Sequence, residues 1–349
     1  MPQARITGRV MLSDTRGPAR NAAILLTSLD GQHRDFQRVG LDGTYLFEHV
    51  VPEEYILIPY LDGYLSAFDK LTRSPVDTTL AGLFARIVAA QGSVKVGTQG
   101  TQTFDISLER GAIVSGRVVY SDGSPAIQVS IELQNTADPS PRAGSPQLQL
   151  GDISRSEFVH RDSETDDQGR FRIAGITPGN YRIAAVQLQK LPIQNNETMV
   201  RSILGAVRFY TNDTVHPMLA RTYSLAAGQE LTGLEIHIPL GGFYSVQGKV
   251  VARDGRPITS AEVTVTETSD PSLYFMAVVS EGSFRLDRLP PGTYTVAARF
   301  GNIAPAGGEV TAAFGPGSTS FTLKDQNLTD VNLTLPEAPL PKSFATPYR

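Results

Sequence analysis

Short runs in which every second residue is apolar open and close three stretches of this chain. The opening runs are Ile6-Thr-Gly8-Arg-Val10, Val114-Ser-Gly116-Arg-Val118 and Val246-Gln-Gly248-Lys-Val250. Each leads through Pro18, Pro125 or Pro257 to a second run: Ala22, Ile24, Leu26; Val129, Ile131, Leu133; Ala261, Val263, Val265. The closing runs carry Phe104, Ile106, Leu108; Leu234, Ile236, Ile238; and Val331, Leu333, Leu335. Alternation at period two sends one face of a strand to a core and the other to water, and turn residues separate the runs. The pattern predicts an all-β chain of three tandem Greek-key β-sandwich modules in an extended array. They cover 1–110, 111–240 and 241–338, and 339–349 forms a tail.

A second motif sits inside each unit. It reads Gly43-Thr-Tyr45 … Pro52-Glu-Glu-Tyr55, then Gly169-Arg-Phe171 … Pro178-Gly-Asn-Tyr181, then Gly282-Ser-Phe284 … Pro291-Gly-Thr-Tyr294. A Gly turn feeds an inward aromatic, and a Pro corner feeds a Tyr whose ring buries while its hydroxyl finds a backbone partner. A Gly at a strand centre costs about 0.5–1 kcal/mol relative to Ala. Something must therefore need the space at Gly8, Gly116 and Gly248. The expected occupant is a ring from the facing sheet, Tyr55, Tyr181 or Tyr294. This packing role accounts for the tyrosines without a catalytic one.

Two segments break the strand pattern. Leu80, Leu83, Phe84, Ile87 and Val88 follow helical spacing, with Asp77 as N-cap and Gly92 as stop. Met199, Val200, Ile203, Leu204 and Val207 repeat the spacing, and both segments are expected to cover a sandwich edge. The connection 135–167 in the second unit is a long exposed loop. It ends in the most polar cluster of the chain: Glu157, His160, Asp162, Glu164, Asp166 and Asp167. Oxygen-rich loops hold Ca²⁺, so Asp162, Glu164, Asp166 and Asp167 are the metal candidates. Read from Asp162, however, the EF-hand positions for Gly and for the bidentate Glu are Asp167 and Ile173. The ligand-binding candidates are aromatics outside the repeated motif: Tyr60, Tyr64 and Phe68 around Asp62-Gly63, and Tyr274-Phe275. Flat rings hold sugars, although the chain lacks Trp, the largest such platform.

Composition narrows the classes. The apolar share of 40% supports packed cores, and 23 Pro with 32 Gly fall between the runs as turns. A net charge of −4 gives no reason to expect nucleic-acid binding or attachment to an anionic membrane. The absence of Cys removes disulfides and thiolate metal sites. No stretch approaches the roughly 18 apolar residues of a membrane span. The start, Met1-Pro-Gln-Ala-Arg-Ile, lacks the apolar core of a signal peptide, so the chain reads as an excised segment of an exported protein. Metalloprotease, hydrolase-elbow, Walker and dinucleotide motifs are all missing, and the five histidines fall at unrelated points of the repeat. No cofactor and no catalytic residue is expected.

Gly-[Arg/Lys]-Val, Gly-x-Pro, Gly-x-[Phe/Tyr] and Pro-x-x-Tyr resemble the carboxypeptidase regulatory-like domain. The resemblance extends over nearly the whole chain, is strongest in units two and three, and departs at Pro52-Glu-Glu-Tyr55, which lacks the Gly after Pro. It implies a prealbumin-like, Ig-like sandwich of about seven strands. In metallocarboxypeptidases that domain sits beside the catalytic domain and supplies no catalytic residue. Tandem copies are similar to bacterial surface or secreted proteins, starch-binding-like modules and the B-type repeats of adhesins. The adhesin likeness raises a Lys249–Asn332 crosslink beside Asp287, but Lys249 is out of phase with Val246 and Val250, which favours a solvated pair.

The functional expectation is a non-catalytic, extracytoplasmic scaffold or adhesion-type array that spaces or presents a protein or glycan partner. A carbohydrate-binding array is the second reading, and an accessory region of a larger secreted hydrolase the third. Short connections such as Glu109-Arg-Gly-Ala112 predict nearly fixed modules. At about 3.3 Å per strand residue, three modules make a rod on the order of 90 Å.

Overall fold

The computed structural model describes residues 3–71, 80–137, 163–187, 207–279, 281–303 and 311–339. They form six sheets, stacked in pairs as three β-sandwiches. In the first, Thr44–Phe47, Gln3–Leu12, Ile106–Arg110 and Tyr64–Leu65 lie side by side and face Arg34–Arg38, Ala23–Ser28, Glu54–Tyr60 and Val94–Lys95. In the second, Arg170–Ile176, Ala112–Tyr120 and Glu230–Ile238 face Ser163–Glu164, Ser130–Asn135, Gly179–Gln187 and Val207–Tyr210. In the third, Ser283–Leu289, Tyr244–Ala252 and Leu333–Leu335 face a six-stranded sheet built on Ser260–Glu267 and Gly292–Ile303. Each opening strand pairs antiparallel with the Gly-x-aromatic strand and parallel with the closing strand.

The repeated residues do the same work three times. Gly43, Gly169 and Gly282 have φ of 86°, 73° and 77°, the left-handed region that only Gly enters without strain. In that conformation their carbonyls accept the N–H of Val10, Val118 and Val250 at 2.8, 2.7 and 2.9 Å. The aromatics that follow, Tyr45, Phe171 and Phe284, are buried. Tyr55, Tyr181 and Tyr294 are buried as well, and each hydroxyl donates to the carbonyl four residues earlier: Val51 at 3.0 Å, Thr177 at 2.8 Å and Pro290 at 2.7 Å. The Pro corner is thus closed by its own Tyr. Burying an aromatic side chain contributes about 1.5–3 kcal/mol, and pairing the hydroxyl removes the penalty of a buried polar group.

The strand-centre glycines have a different cause from the one expected. A Cβ on Gly8, Gly116 or Gly248 would overlap the carbonyl oxygen of Phe104, Leu234 or Val331, the first and last just before the closing strand and Leu234 within it. The nearest side chains are Tyr45 at Gly8 and Phe284 at Gly248, which come from the neighbouring strand of the same sheet. Tyr55, Tyr181 and Tyr294 do not fill these positions. The sequence alone does not show how closely two parallel backbones approach.

A left-handed residue recurs four residues after each aromatic, and in the second and third sandwiches it marks a β-bulge. His49, Gly175 and Arg288 have φ of 56°, 68° and 62°. The register slips by one residue there, from Ala112↔Ile176 to Val114↔Ile173 and from Tyr244↔Leu289 to Val246↔Leu286.

The predicted helix of the first sandwich is present as Leu80–Gln91. Leu83, Phe84 and Ile87 pack with Phe68 on Ile56, covering the outer face of the Glu54–Tyr60 sheet. Gly92, at φ 89°, ends the helix by donating to the Val88 carbonyl at 2.8 Å. Asp77 lies outside the described residues. So do Met199, Val200, Ile203 and Leu204, while Val207 begins the Val207–Tyr210 strand rather than ending a helix.

Candidate functional site

Of the aromatic candidates, Phe68 and Phe275 are buried and offer no face to a ligand, which corrects the expectation for both. Phe68 lies in the short helix Ala67–Leu71, whose start is capped by Ser66 and Asp69: the Asp69 carboxylate accepts the Ser66 N–H at 3.0 Å and hydroxyl at 2.8 Å. Phe275 packs edge-on to Tyr294, ring centres 6.3 Å apart. Tyr60 is half-buried opposite Ala23. Tyr64 is half-buried, and its hydroxyl donates to Asp14 at 3.2 Å; burial raises its pKa. Tyr274, 37% exposed, is the most open of the five. It stands in one row across the sheet with Thr266, Thr295 and Ser320.

Tyr64 belongs to the junction between the first two sandwiches. Arg110 reaches Asp14 at 3.7 Å within the first and Glu230 at 2.8 Å in the second. The Gly111 N–H donates to Gly63 at 2.9 Å, and the Gly228 N–H to Arg110 at 3.0 Å. Three glycines meet there: a Cβ on Gly111 would lie 2.5 Å from the Gly175 Cα, and one on Gly175 would lie 3.6 Å from Gly63. The second junction is apolar at its centre. Phe209 meets Phe243 edge-to-face at 5.6 Å, and the Arg288 guanidinium lies 5.7 Å from the centre of the Phe243 ring. Asp270, buried in the third sandwich, accepts the Met218 N–H at 3.3 Å and lies 3.7 Å from His216. One continuous core runs through the second and third sandwiches.

The polar cluster of the 135–167 connection is only partly described. Asp162, like Glu157 and His160, lies outside the described residues. Asp166 is consumed by its turn: its carboxylate accepts the N–H of Gln168 at 2.9 Å and of Arg170 at 2.8 Å and pairs with the Arg170 guanidinium at 2.9 Å. The bond from the Arg170 N–H is the main reason its pKa falls below the usual carboxylate range. Asp167 is exposed in the same turn. Among the described residues no group of three His, Asp or Glu could hold a metal ion.

Glu164 instead rims an open cavity of about 470 Å³, lined also by Ser115, Gly116, Asp166, Arg170, Phe171, Arg172 and Gly233. The register explains its place. Ser115 sits opposite Arg172 on one side, and on the other the pairing slips between Val114↔Leu231 and Gly116↔Leu234, leaving Gly233 (φ 73°) bare at the bulge. The sequence motifs do not mark Ser115, Arg172 or Gly233. Ser115 and Arg172 have counterparts in Thr7 and Arg285, so the repeat does not single them out.

In the third sandwich, Lys249 and Asn332 are both exposed, and Asp287 is held by Arg285 at 2.8 Å. These are solvated surface groups. No described helix is long and apolar enough to cross a membrane.

Residues 245–336 match the family model of the carboxypeptidase regulatory-like domain. No curated protein is significantly similar to this chain. Among solved structures it is similar to the Bacillus anthracis TIE protein, at 11% identity and a TM-score of 0.23, over 96% of this chain and 51% of that protein. It thus spans about half the length of that neighbour. A streptococcal ancillary pilin aligns at 17% identity over 96% of this chain and 100% of its own, with a TM-score of 0.27. The minor pilin of Streptococcus agalactiae aligns at 14% identity over 68% of this chain and 100% of its own, also with a TM-score of 0.27. Scores this low carry no functional argument.

Proposed function

We propose that this chain is a non-catalytic, extracytoplasmic scaffold of adhesion type. Three units of the regulatory-like type, at 1–110, 111–240 and 241–338, are held at set orientations so that they space or present a protein or glycan partner. The observation that supports this reading most is the first junction. Gly63, Gly111 and Gly175 let two backbones touch, and Arg110 clasps both sides. Backbones that close do not belong to a free hinge. The test is small-angle X-ray scattering of the full chain beside Gly111→Val. A single elongated envelope for the parent, and a broader distribution of distances for the variant, support a fixed array. A parent profile that fits only independently tumbling units refutes it.

A carbohydrate-binding array is the second reading, favoured by the Tyr274 ring beside Thr266, Thr295 and Ser320 on one exposed sheet face. Pull-down on insoluble neutral polysaccharide, lost on Tyr274→Ala, supports it. No retention by the parent removes Tyr274 as a platform for a neutral glycan.

A further inference from the structure

We infer that the cavity over Ser115, Arg172 and Gly233 is a subsite for a carboxylate-bearing sugar residue, a uronate within a longer glycan. This deepens the glycan reading and rests on it for the class of ligand. Three polar side chains line the cavity without a hydrogen-bond or ion-pair partner among the described residues: the Arg172 guanidinium, the Ser115 hydroxyl and the Glu164 carboxylate. Arg172 and Glu164 line the same cavity and form no ion pair with each other, so both charges stay available to a ligand.

The other two sandwiches serve as internal controls. At the register position of Arg172, opposite the same residue of the opening strand, the first sandwich has Leu46 and the third has Arg285. Arg285 is already taken by Asp287 at 2.8 Å. Only the second sandwich leaves its guanidinium uncommitted at this position. There it lies beside Gly233, where an added Cβ would meet nothing within 4 Å and the trough stays open.

The chemistry of the lining selects the ligand. A planar guanidinium takes a carboxylate through two parallel N–H bonds, which a neutral sugar does not offer. Glu164 accepts, and the ring hydroxyls of a sugar donate. The volume of about 470 Å³ falls within the usual range for small-molecule sites, roughly 300–1,000 Å³. Arg170, Arg172 and Glu164 are exposed at the rim, so the trough is open, as a unit inside a chain requires and a free metabolite does not.

The test is calorimetric titration of the full chain with trigalacturonate, its methyl ester and free glutamate. Binding of trigalacturonate, at least tenfold weaker binding of the ester, and at least tenfold loss on Arg172→Gln are expected, with no loss on Arg285→Gln or Tyr274→Ala. Exposed substitutions on a sheet face leave the thermal transition in place, which scanning calorimetry checks. Equal binding of the ester, unchanged binding by Arg172→Gln, or tighter binding of glutamate overturns the inference. No trigalacturonate binding alongside Tyr274-dependent retention on neutral polysaccharide overturns the subsite and leaves the glycan reading standing. Failure of both removes both.

Discussion

Replacing Gly248 by Ala adds one methyl group where the closing strand crosses the opening one. The new Cβ would overlap the Val331 carbonyl oxygen and lie 2.7 Å from the Phe284 ring. Gly248 is not in the left-handed region, so backbone strain does not enter. By unfolded-chain entropy alone, Ala at such a position stabilises by about 0.4–1 kcal/mol. Steric overlap opposes this, and overpacking of a filled core costs about 1–3 kcal/mol. The obstructing atom is backbone of Val331, whose N–H donates to the Gln247 carbonyl at 3.3 Å, and it cannot rotate away as a side chain can. The steric term therefore wins, and the net loss is roughly 1–3 kcal/mol. Because the second and third sandwiches share one core, each kcal/mol lowers Tm by roughly 2–4 °C. Differential scanning calorimetry of the full chain should show the drop in the transition that includes the third sandwich. Gly241→Ala is the control, because a Cβ there meets nothing within 4 Å. Equal transitions for the two variants would refute the close-approach account of the strand glycine.

The other predictions concern single polar groups. Tyr294→Phe removes the 2.7 Å bond to the Pro290 carbonyl and leaves that buried acceptor unpaired, so urea unfolding should show a loss of about 1–3 kcal/mol; an unchanged midpoint would rule out the Tyr-closed corner. His237 lies between Asp213 at 2.9 Å and Glu235 at 2.8 Å, and the bond to Asp213 is the chief reason its pKa is raised. A raised folded pKa means the contribution is complete below the unfolded value of about 6.5 and is lost as pH rises through the folded value. Because the pair is exposed, the effect is about 0.2–1 kcal/mol, and it should vanish in His237→Gln when urea midpoints are compared between acidic and basic buffer. Parallel pH profiles for parent and variant would contradict the assignment.

Much of the fold is legible in the sequence because each device is local. A Gly two residues before an aromatic sets a left-handed turn, and a Pro three residues before a Tyr places its hydroxyl on the carbonyl four residues back. Alternation assigns faces, as the burial of Ile6, Val10, Val114, Val118, Val246 and Val250 bears out. The helix at Leu80–Gln91 and its Gly92 stop follow from spacing in the same way.

What tertiary structure alone decides is which surfaces meet. Phe68 and Phe275 look like any exposed aromatic in the sequence, and only the helix packed with Phe68 and the sandwich core around Phe275 bury them. Asp166 reads as a metal ligand until the turn brings the N–H groups of Gln168 and Arg170 onto it. Gly8, Gly116 and Gly248 announce a need for space, yet the atom that needs it belongs to a strand about 80 to 120 residues away in the chain. The trough at Arg172 exists because a one-residue slip in the closing strand, between Leu231 and Leu234, puts Gly233 in the bulge. Local propensity and periodicity fix strands, turns and faces, since these depend on neighbours a few residues apart. Register and inter-sheet contact depend on distant segments, and the repeated motif, identical in role in all three sandwiches, carries no information about where one of them differs.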